Sequence, residues 1–511
     1  MKQVLDAKGL KRADTYSIEQ WSISEIELME RAGRKLTEQF LANIKPRYDA
    51  NIVVFCGKGN NAGDGLVMAR LLAFSYPITV VLPGFTEDFS PSMQVNLERL
   101  QKLGSAVQWL RTSVSGEFTL PAFSNAIVLD ALFGTGFKGK LSPPWTIYIE
   151  AIQALPWPIV AIDVPSGLNI NQLTAESDNL LKASATLCVD RPPRCFMFPE
   201  SFRFTGKWYV APNVFHPDCR KIASGEFPEF GEEYFLELSD FIDLKEEITP
   251  FAHKGIRGHG LLIAGSVSMP GAAVLASEAA MRSGLGKLSV HTPYSVFHRI
   301  LNYCPEAIWS VESEEDFVAT FPEKLQNYRA LAFGPGCGTE AKTTTLLKLL
   351  IQEVNCPLIL DADGLNILSE NPTWLSFLPA SGTIMTPHPA EFDRLTETHY
   401  SSAERLESAK AYAKRYHIYL ILKGPYTQII FPDGRVFYNF HANNGLGKAG
   451  SGDVLTGILL GLLTRGYQAG QACLLGVMAH GLAAKLVAEE KSTEGMRAAD
   501  LSSALARVWR N

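Results

Sequence analysis

The sequence predicts an α/β protein of two successive units, each a largely parallel sheet covered by helices on both faces. Three observations predict it. Short β-branched runs recur with helical segments between them, that series is interrupted once between about 212 and 250, and 511 residues are too many for one domain at roughly 150 residues each. With 46% hydrophobic and 20% charged residues, the chain has enough apolar material for sizeable cores.

Residues 22–44 read as the amphipathic helix that opens the fold. Ser22 and Glu25 have the spacing of a capping box, and Ile26, Met29, Gly33, Leu36 and Phe40 fall on one stripe. Buried strands are predicted at 52–56, 78–82, 126–130, 158–163 and 185–189. The interruption is rich in Pro, Gly and acidic residues, which puts a boundary near residue 225 and gives domains 1–222 and 229–511. A second alternating series follows at 260–266, 286–292, 330–336, 357–363, 382–388 and 418–424. Asp433-Gly434 then turns a hairpin, and helical stretches at 452–464, 467–490 and 498–509 close the chain.

Lys+Arg 47 against Asp+Glu 53 gives a net charge of -6, with no block of like charges, so no nucleic acid or membrane partner is expected. The first residues carry no apolar run of the signal-peptide kind, and the longest apolar runs fall short of the ~18 residues needed to span a bilayer. A cytoplasmic protein is expected. The eight cysteines, at 56, 188, 195, 219, 304, 337, 356 and 473, include no CxxC pair, which reads as reduced, mostly buried thiols.

In open α/β sheets ligands sit beyond the carboxyl ends of the strands, so the loops there are where chemistry is sought. The first is Gly57-Lys58-Gly59-Asn60-Asn61-Ala62-Gly63-Asp64-Gly65, a glycine-rich turn feeding a helix whose amides and dipole suit a phosphate. The strand after it ends without the acidic residue that holds a ribose in hydride-transfer enzymes, and a tight structural turn remains an alternative. The next two loops open on Asp130 and Asp163, each at a strand's last position and expected to face the ligand crevice. Either Asp can simply cap its turn; with the Asn-rich loop they also supply hard oxygen donors for a cation.

Together GKGNNAGDGLVMAR, DALFGTGFKGKL and AIDVPSGL resemble the YjeF N-terminal family, the NAD(P)H-hydrate epimerases, over most of residues 1–222. Ala62 departs from the usual Gly. The resemblance implies a Rossmann-like three-layer fold and assigns the hydrated nucleotide to Asn60, Asn61, Ala62, Gly63 and Asp64 and to Gly134, Thr135, Gly136, Phe137, Lys138, Gly139 and Lys140. It places a potassium ion on Asn61, Asp130 and Ser166, with Asp163 at the reacting ring.

In the second half, Gly450-Ser451-Gly452-Asp453 stands directly before a strongly apolar helix. Amides at such a helix start can cradle a transferring phosphate, with a carboxylate beside them able to take a hydroxyl proton; a glycine-rich entry can also serve close packing alone. His253-Lys254-Gly255, Pro270-Gly271-Ala272-Ala273, Gly334-Pro335-Gly336, Asp361-Ala362-Asp363-Gly364, Thr386-Pro387-His388-Pro389-Ala390-Glu391 and Lys423-Gly424-Pro425-Tyr426-Thr427 precede it. The set resembles the YjeF C-terminal family, the nucleotide-dependent NAD(P)H-hydrate dehydratases with a ribokinase-like fold, over about 235–511. Ala390 stands where Gly is usual, and Gly447-Lys448-Ala449 lies in a variable stretch. The resemblance assigns nucleotide binding to Lys423, Gly424, Pro425, Tyr426, Thr427 and Gly452, and the hydrated dinucleotide to Ala273, Gly336, His388 and Asp453.

The two resemblances together imply repair of NADHX and NADPHX, the hydrated forms of NADH and NADPH. The first half would interconvert the R and S epimers through Asp163. The second would dehydrate the S form at the expense of ADP with Mg²⁺, giving AMP and phosphate, with Asp453 as base. A homo-oligomer is expected from the resemblance alone. Two other readings stay open: a small-molecule kinase of the hydroxymethylpyrimidine or sugar type, and an N-terminal domain that only binds a ligand or RNA.

Overall fold

The computed structural model describes residues 1–141, 143–170, 180–219, 233–312, 316–439 and 444–510. The chain divides into two compact units, one of residues 3–231 and one of residues 1–2 with 232–511.

The first unit contains α1 (Ala7–Trp21), α2 (Glu25–Gln39), β1 (Asn51–Cys56), α3 (Asn60–Leu72), β2 (Ile78–Leu82), α4 (Pro91–Gln101), β3 (Val107–Arg111), β4 (Ala126–Ala131), α5 (Trp145–Gln153), β5 (Ile159–Ile162), β6 (Ala185–Val189), α6 (Pro199–Thr205) and β7 (Lys207–Ala211). Its seven strands lie in the order β3-β2-β1-β4-β5-β6-β7, every pairing parallel. The predicted strands are all present. Strands β3 and β7, at the two edges of the sheet, were not predicted: at these half-covered positions polar residues such as Gln108 and Lys207 interrupt the apolar run.

The opening helix differs from the expectation. Helix α1 precedes it, capped by Asp6, whose side chain accepts the Gly9 amide. Ser22 is the left-handed residue that ends α1 (φ 53°), and the capping box belongs to Ser24 and Glu27, two residues later. Both serines have an acidic residue three positions on, so spacing alone did not separate them. The stripe itself holds, with Met29, Gly33, Leu36 and Phe40 buried and Ile26 half-buried.

The second unit contains β8 (Glu233–Phe235), α7 (Leu238–Leu244), β9 (His259–Ile263), α8 (Pro270–Arg282), β10 (Lys287–His291), α9 (Tyr294–Ile300), β11 (Ile308–Ser310), β12 (Ala330–Phe333), α10 (Ala341–Glu353), β13 (Leu358–Leu360), α11 (Asp363–Glu370), β14 (Thr383–Met385), α12 (Pro389–Leu395), α13 (Ser402–Tyr416), β15 (Tyr419–Leu422), β16 (Thr427–Ile430), β17 (Val436–Asn439), α14 (Ser451–Arg465), α15 (Ala469–Lys491) and α16 (Ala498–Val508). The strands run β8-β17-β16-β15-β14-β13-β12-β9-β10-β11, parallel from β15 to β11, with the predicted antiparallel hairpin of β16 and β17. The α/β class with parallel sheets is as predicted.

Helix α14 reaches its place because Gly457 and Gly461 let it lie directly on α8. A Cβ at Gly457 would come within 2.2 Å of the Ala276 carbonyl oxygen, and one at Gly461 within 2.5 Å of Ser283 Cβ. Helix α15 is long and apolar enough to cross a membrane, yet 72% of its most apolar window is buried inside the protein, the signature of a core helix. All eight cysteines are free and seven are buried.

Candidate active sites

In the first unit β1 and β4 are neighbours although β2 and β3 come between them in the chain. Chain crossovers therefore leave in opposite directions from their carboxyl ends, and that divergence opens a crevice. Helix α3 begins there at Asn60. The Asn60 side chain is fixed from two sides, donating to Glu25 Oε1 at 2.6 Å and accepting from Ser90 Oγ at 2.8 Å. Asn61 is only 8% exposed, and both atoms of its amide lack a partner. A buried polar group left in that state points to a missing ligand. Ala62 and Gly63 face inward: both amides donate to Gly59 O, and a Cβ on Gly63 would strike Met29 Sδ.

Asp130 was expected to face the crevice, but it is fully buried. Its two oxygens accept from Ser166: Oγ donates at 2.5 Å and the amide at 2.8 Å. Ser166 Oγ also accepts the Phe133 amide at 2.9 Å, so this pair ties the ends of β4 and β5 together. Burial pushes the Asp130 carboxyl up to about 6, against the pull of the Ser166 hydrogen bonds.

Asp163 sits one residue beyond β5 with φ 68°, and Val164 N–H bonds back to Ile162 O at 2.9 Å. That is a γ-turn with a non-glycine residue at its centre, a strained arrangement of the kind found at functional positions. Asp163 Oδ2 accepts the Thr135 amide at 2.7 Å. Gly134 must be glycine for this approach, since a Cβ there would lie 2.6 Å from Asp163 Oδ2 and 3.3 Å from Asn61 Cβ. Thus Asn61, Gly134, Thr135 and Asp163 come together. Phe137 is half-buried against Phe133, which in turn meets Trp145, whereas Gly136, Lys138, Gly139 and Lys140 are exposed.

Sequence reasoning passed over Asp14 on α1. Burial, then the negative charges of Asp163 and Glu25, push its carboxyl up to about 7. Asp64 is driven up by burial and by Asp163 and Asp14, and Asp163 is raised by burial itself. Asp14, Asp64 and Asp163 are therefore carboxyls that resist full ionisation together. The signal available in the sequence was an acidic residue bordering the buried stripe of Gly9, Leu10, Ala13 and Ser17.

In the second unit the corresponding switch lies between β9 and β12. Gly450 (φ 92°) turns the chain into α14, and Ser451 Oγ fastens the turn by donating to Leu446 O at 2.6 Å and Lys448 O at 2.9 Å. Lys423 follows β15. Its ammonium is 3.0 Å from Asp361 Oδ1 and 3.6 Å from Glu391 Oε2, and 3.4 Å from where a Cβ on Gly452 would stand. Burial works against its charge, but Asp361 and Glu391 hold its pKa above the ordinary value. Burial, then Asp361, pushes the Asp453 carboxyl up to about 7.

His388 caps α12: Nδ1 accepts the Glu391 amide at 3.3 Å, while Glu391 Oε2 accepts the His388 amide at 2.7 Å. Burial holds the imidazole below its usual pKa. Gly336 (φ 65°) lies against Met269 and Ala272 at the start of α8, and Ala273 is fully buried beneath Gly265. Gly424 and Pro425 are exposed; Tyr426 and Thr427 are half-buried. The structure thus groups Asp453, Gly452 and Lys423, reaches His388 through Glu391, and sets Ala273 and Gly336 together at α8. Asp361 and Glu391, noted in the sequence only as parts of motifs, prove to be the partners of Lys423.

Comparison with known proteins agrees with this division. Residues 25–195 match the family described as YjeF-related protein N-terminus, and residues 260–507 match NAD(P)H-hydrate dehydratase. The bifunctional NAD(P)H-hydrate repair enzyme Nnr of Moorella thermoacetica is 32% identical, over 99% of this chain and 97% of that protein. Its counterpart in Coxiella burnetii is 31% identical over 94% of each. A Bacillus subtilis ADP/ATP-dependent NAD(P)H-hydrate dehydratase, co-crystallized with ATP/Mg²⁺, is 34% identical over 54% of this chain and 98% of its own, with a TM-score of 0.47. With both halves matched and the relatives aligned over nearly their whole length, the chain belongs to the bifunctional NAD(P)H-hydrate repair enzymes, an epimerase half followed by a dehydratase half.

Proposed function

We propose that the two clusters are separate active sites, the first interconverting R and S NADHX or NADPHX and the second converting the S form to NADH or NADPH with ADP as phosphoryl donor. Hydration leaves a hydroxyl on a ring carbon beside nitrogen, and hydroxide is a poor leaving group. Phosphorylating that hydroxyl makes a good one, which the electron pair of the ring nitrogen then expels as phosphate, and loss of a proton from the neighbouring ring carbon turns the resulting iminium into the C=C bond of NADH or NADPH. Asp453 takes the hydroxyl proton, the amides of residues 450–453 stabilise the transferring phosphate, and Lys423 balances its charge. The observation that carries this reading is the approach of the Lys423 ammonium to Gly452 at the start of α14, with an Asp453 carboxyl poised near neutrality beside it. Magnesium, when bound with the nucleotide, would offset the charge on the transferring phosphate.

In the first site Asn60 to Asp64 and Gly134 to Lys140 hold the dinucleotide, and Asp163 transfers a proton or stabilises the cation as the hydroxyl-bearing carbon passes through a ring-opened or dehydrated form. Asn61, Asp130 and Ser166 offer one amide oxygen, one carboxylate and one hydroxyl, a donor set that fits a monovalent cation such as potassium. The buried, unpartnered Asn61 amide supports that fit. When bound, the ion would supply a fixed positive charge beside the Asp130 carboxylate.

The same reading takes residues 1–222 and 229–511 as the two domains of a cytoplasmic homo-oligomer that engages neither nucleic acid nor membrane. It is tested by incubating the purified chain with hydrated NADH, with ADP or ATP in parallel, and with potassium present or replaced by a larger organic cation. Recovery of nicotinamide absorbance is expected with ADP in preference to ATP, and potassium is expected to speed epimer exchange. No recovery with either nucleotide would defeat the proposal.

A further inference from the structure

Asp361 is the most buried charge of the second site, 1% exposed, and it joins three elements that converge on the phosphate cradle. It follows β13 directly. Its Oδ1 receives Lys423 from the end of β15 at 3.0 Å, and its Oδ2 accepts Thr456 Oγ1 of α14 at 2.8 Å. Thr456 is fully buried and stands three residues beyond Asp453, on the same helix face. Burial would raise the Asp361 carboxyl, but Lys423 and the Thr456 hydrogen bond hold it below its usual range, so the charge is permanent.

An ammonium has three N–H donors. Lys423 donates one of them to Asp361, Glu391 lies within ion-pair distance at 3.6 Å, and donor capacity is left for a ligand oxygen on the Gly452 side. There the bare glycine leaves Lys423 Nζ 3.4 Å and Asp361 Oδ2 3.8 Å from the position a Cβ would occupy. Around Asp453 the facing charges are Asp361 and Asp363 from the end of β13 and the start of α11, and Lys423 from the end of β15. Asp363 is committed elsewhere, accepting from Gly338 N at 2.9 Å and Asn366 Nδ2 at 3.2 Å. His480, on α15 beside Ser451, is held uncharged by burial, its pKa down at about 4.

We propose that Asp361 is a positioning residue for the phosphoryl-transfer step: it holds the Lys423 ammonium at the start of α14 and, as a fixed negative charge, keeps Asp453 basic enough to take the substrate hydroxyl proton. The proposal rests on the reading of the second site as a phosphoryl-transfer site. In this role Asp361 acts through Lys423 and Asp453. With the Asp361 charge removed, Lys423 is freer to approach Asp453, and both changes favour the ionised, less basic carboxylate.

The test is the pH profile of kcat for dehydration of the S epimer in the full chain, comparing wild type with Asp361→Asn and Asp361→Glu. Asp361→Asn is expected to lower kcat by roughly 10- to 100-fold, the scale of a misplaced catalytic group, with little change in nucleotide KM, and to move the acid limb of the profile to lower pH. Asp361→Glu is expected to keep the limb near its wild-type position and recover part of kcat. Epimer exchange by the other unit, read in the same samples, is expected to be unaffected. A wild-type kcat and an unmoved limb in Asp361→Asn would overturn the proposal. Should that variant not accumulate folded, Thr456→Val removes only the hydrogen bond to Oδ2; it is expected to lower kcat several-fold at constant nucleotide KM, and an unchanged kcat there overturns the proposal equally. A wild-type chain inert with both ADP and ATP would instead defeat the phosphoryl-transfer reading itself.

Discussion

Asp453 and Asp14 are both carboxyls pushed up to about 7 by burial, yet their environments set them different tasks. Asp453 has Lys423 nearby to temper its rise. As a base it works only when ionised, so kcat for dehydration is expected to fall as pH drops through about 7, and Asp453→Asn to slow the step by roughly 10²–10⁴-fold while the nucleotide still binds. A steady-state pH profile with a nucleotide titration checks both. Asp14 instead faces Asp163 and Glu25. Its folded pKa lies above the value in the unfolded chain, so the folded state binds more protons through that interval and its stability declines as pH rises from about 4 to 7. Asp14→Asn is therefore expected to raise the melting temperature of the first unit at pH 8 and to do little at pH 4, measured by thermal unfolding at the two pH values.

These residues also show what could be read from sequence. The glycine-rich loops and strand-end aspartates stand out because their backbone and donor chemistry is local. Asp14 did not, since what makes it unusual is its burial in the folded chain and, after that, the charge of Asp163 far along the sequence; the same holds for Asp361, whose partners are Lys423 and Thr456. Burial of Asp130 was misjudged for a related reason: alternation along β4 gives its face of the sheet, but Ser166 from the next strand end closes over it.

At the scale of elements, strands with continuous apolar runs were legible, whereas edge strands β3, β7 and β11 and the three-residue β8 were not, because a half-covered edge or so short a run carries no distinctive pattern. The start of the first helix was misplaced because two serines with like spacing compete for one cap. Packing of α14 on α8 was not visible either, although Gly457 and Gly461 mark it in the sequence. That crossing holds the phosphate cradle in register, and a side chain at Gly457 must displace the Ala276 carbonyl at 2.2 Å. Gly457→Ala is expected to destabilise the second unit by roughly 1–3 kcal/mol, the cost of overpacking, and to lower dehydratase kcat. Calorimetry that found the melting of that unit unchanged would show that the two helices separate at little cost.

For the whole molecule, two compact units, each with its own sheet and hydrophobic core, account for two activities in one chain. Residues 1–222 and 229–511 are expected to fold when expressed apart, the first exchanging epimers and the second dehydrating one of them. The second piece should melt lower than the same unit in the full chain, because Met1–Lys2 group with it and Lys2 pairs with Glu237 at 3.3 Å. Circular dichroism melts of both pieces check this.

Separate active sites are the central claim, and the most direct test follows the R and S epimers individually by chromatography in Asp163→Asn and Asp453→Asn of the full chain. Asp453→Asn is expected to lose dehydration and keep epimer exchange, and Asp163→Asn to lose exchange while still dehydrating the S form. Loss of both activities in both folded variants would contradict the account, because it would mean a single site performs the two reactions.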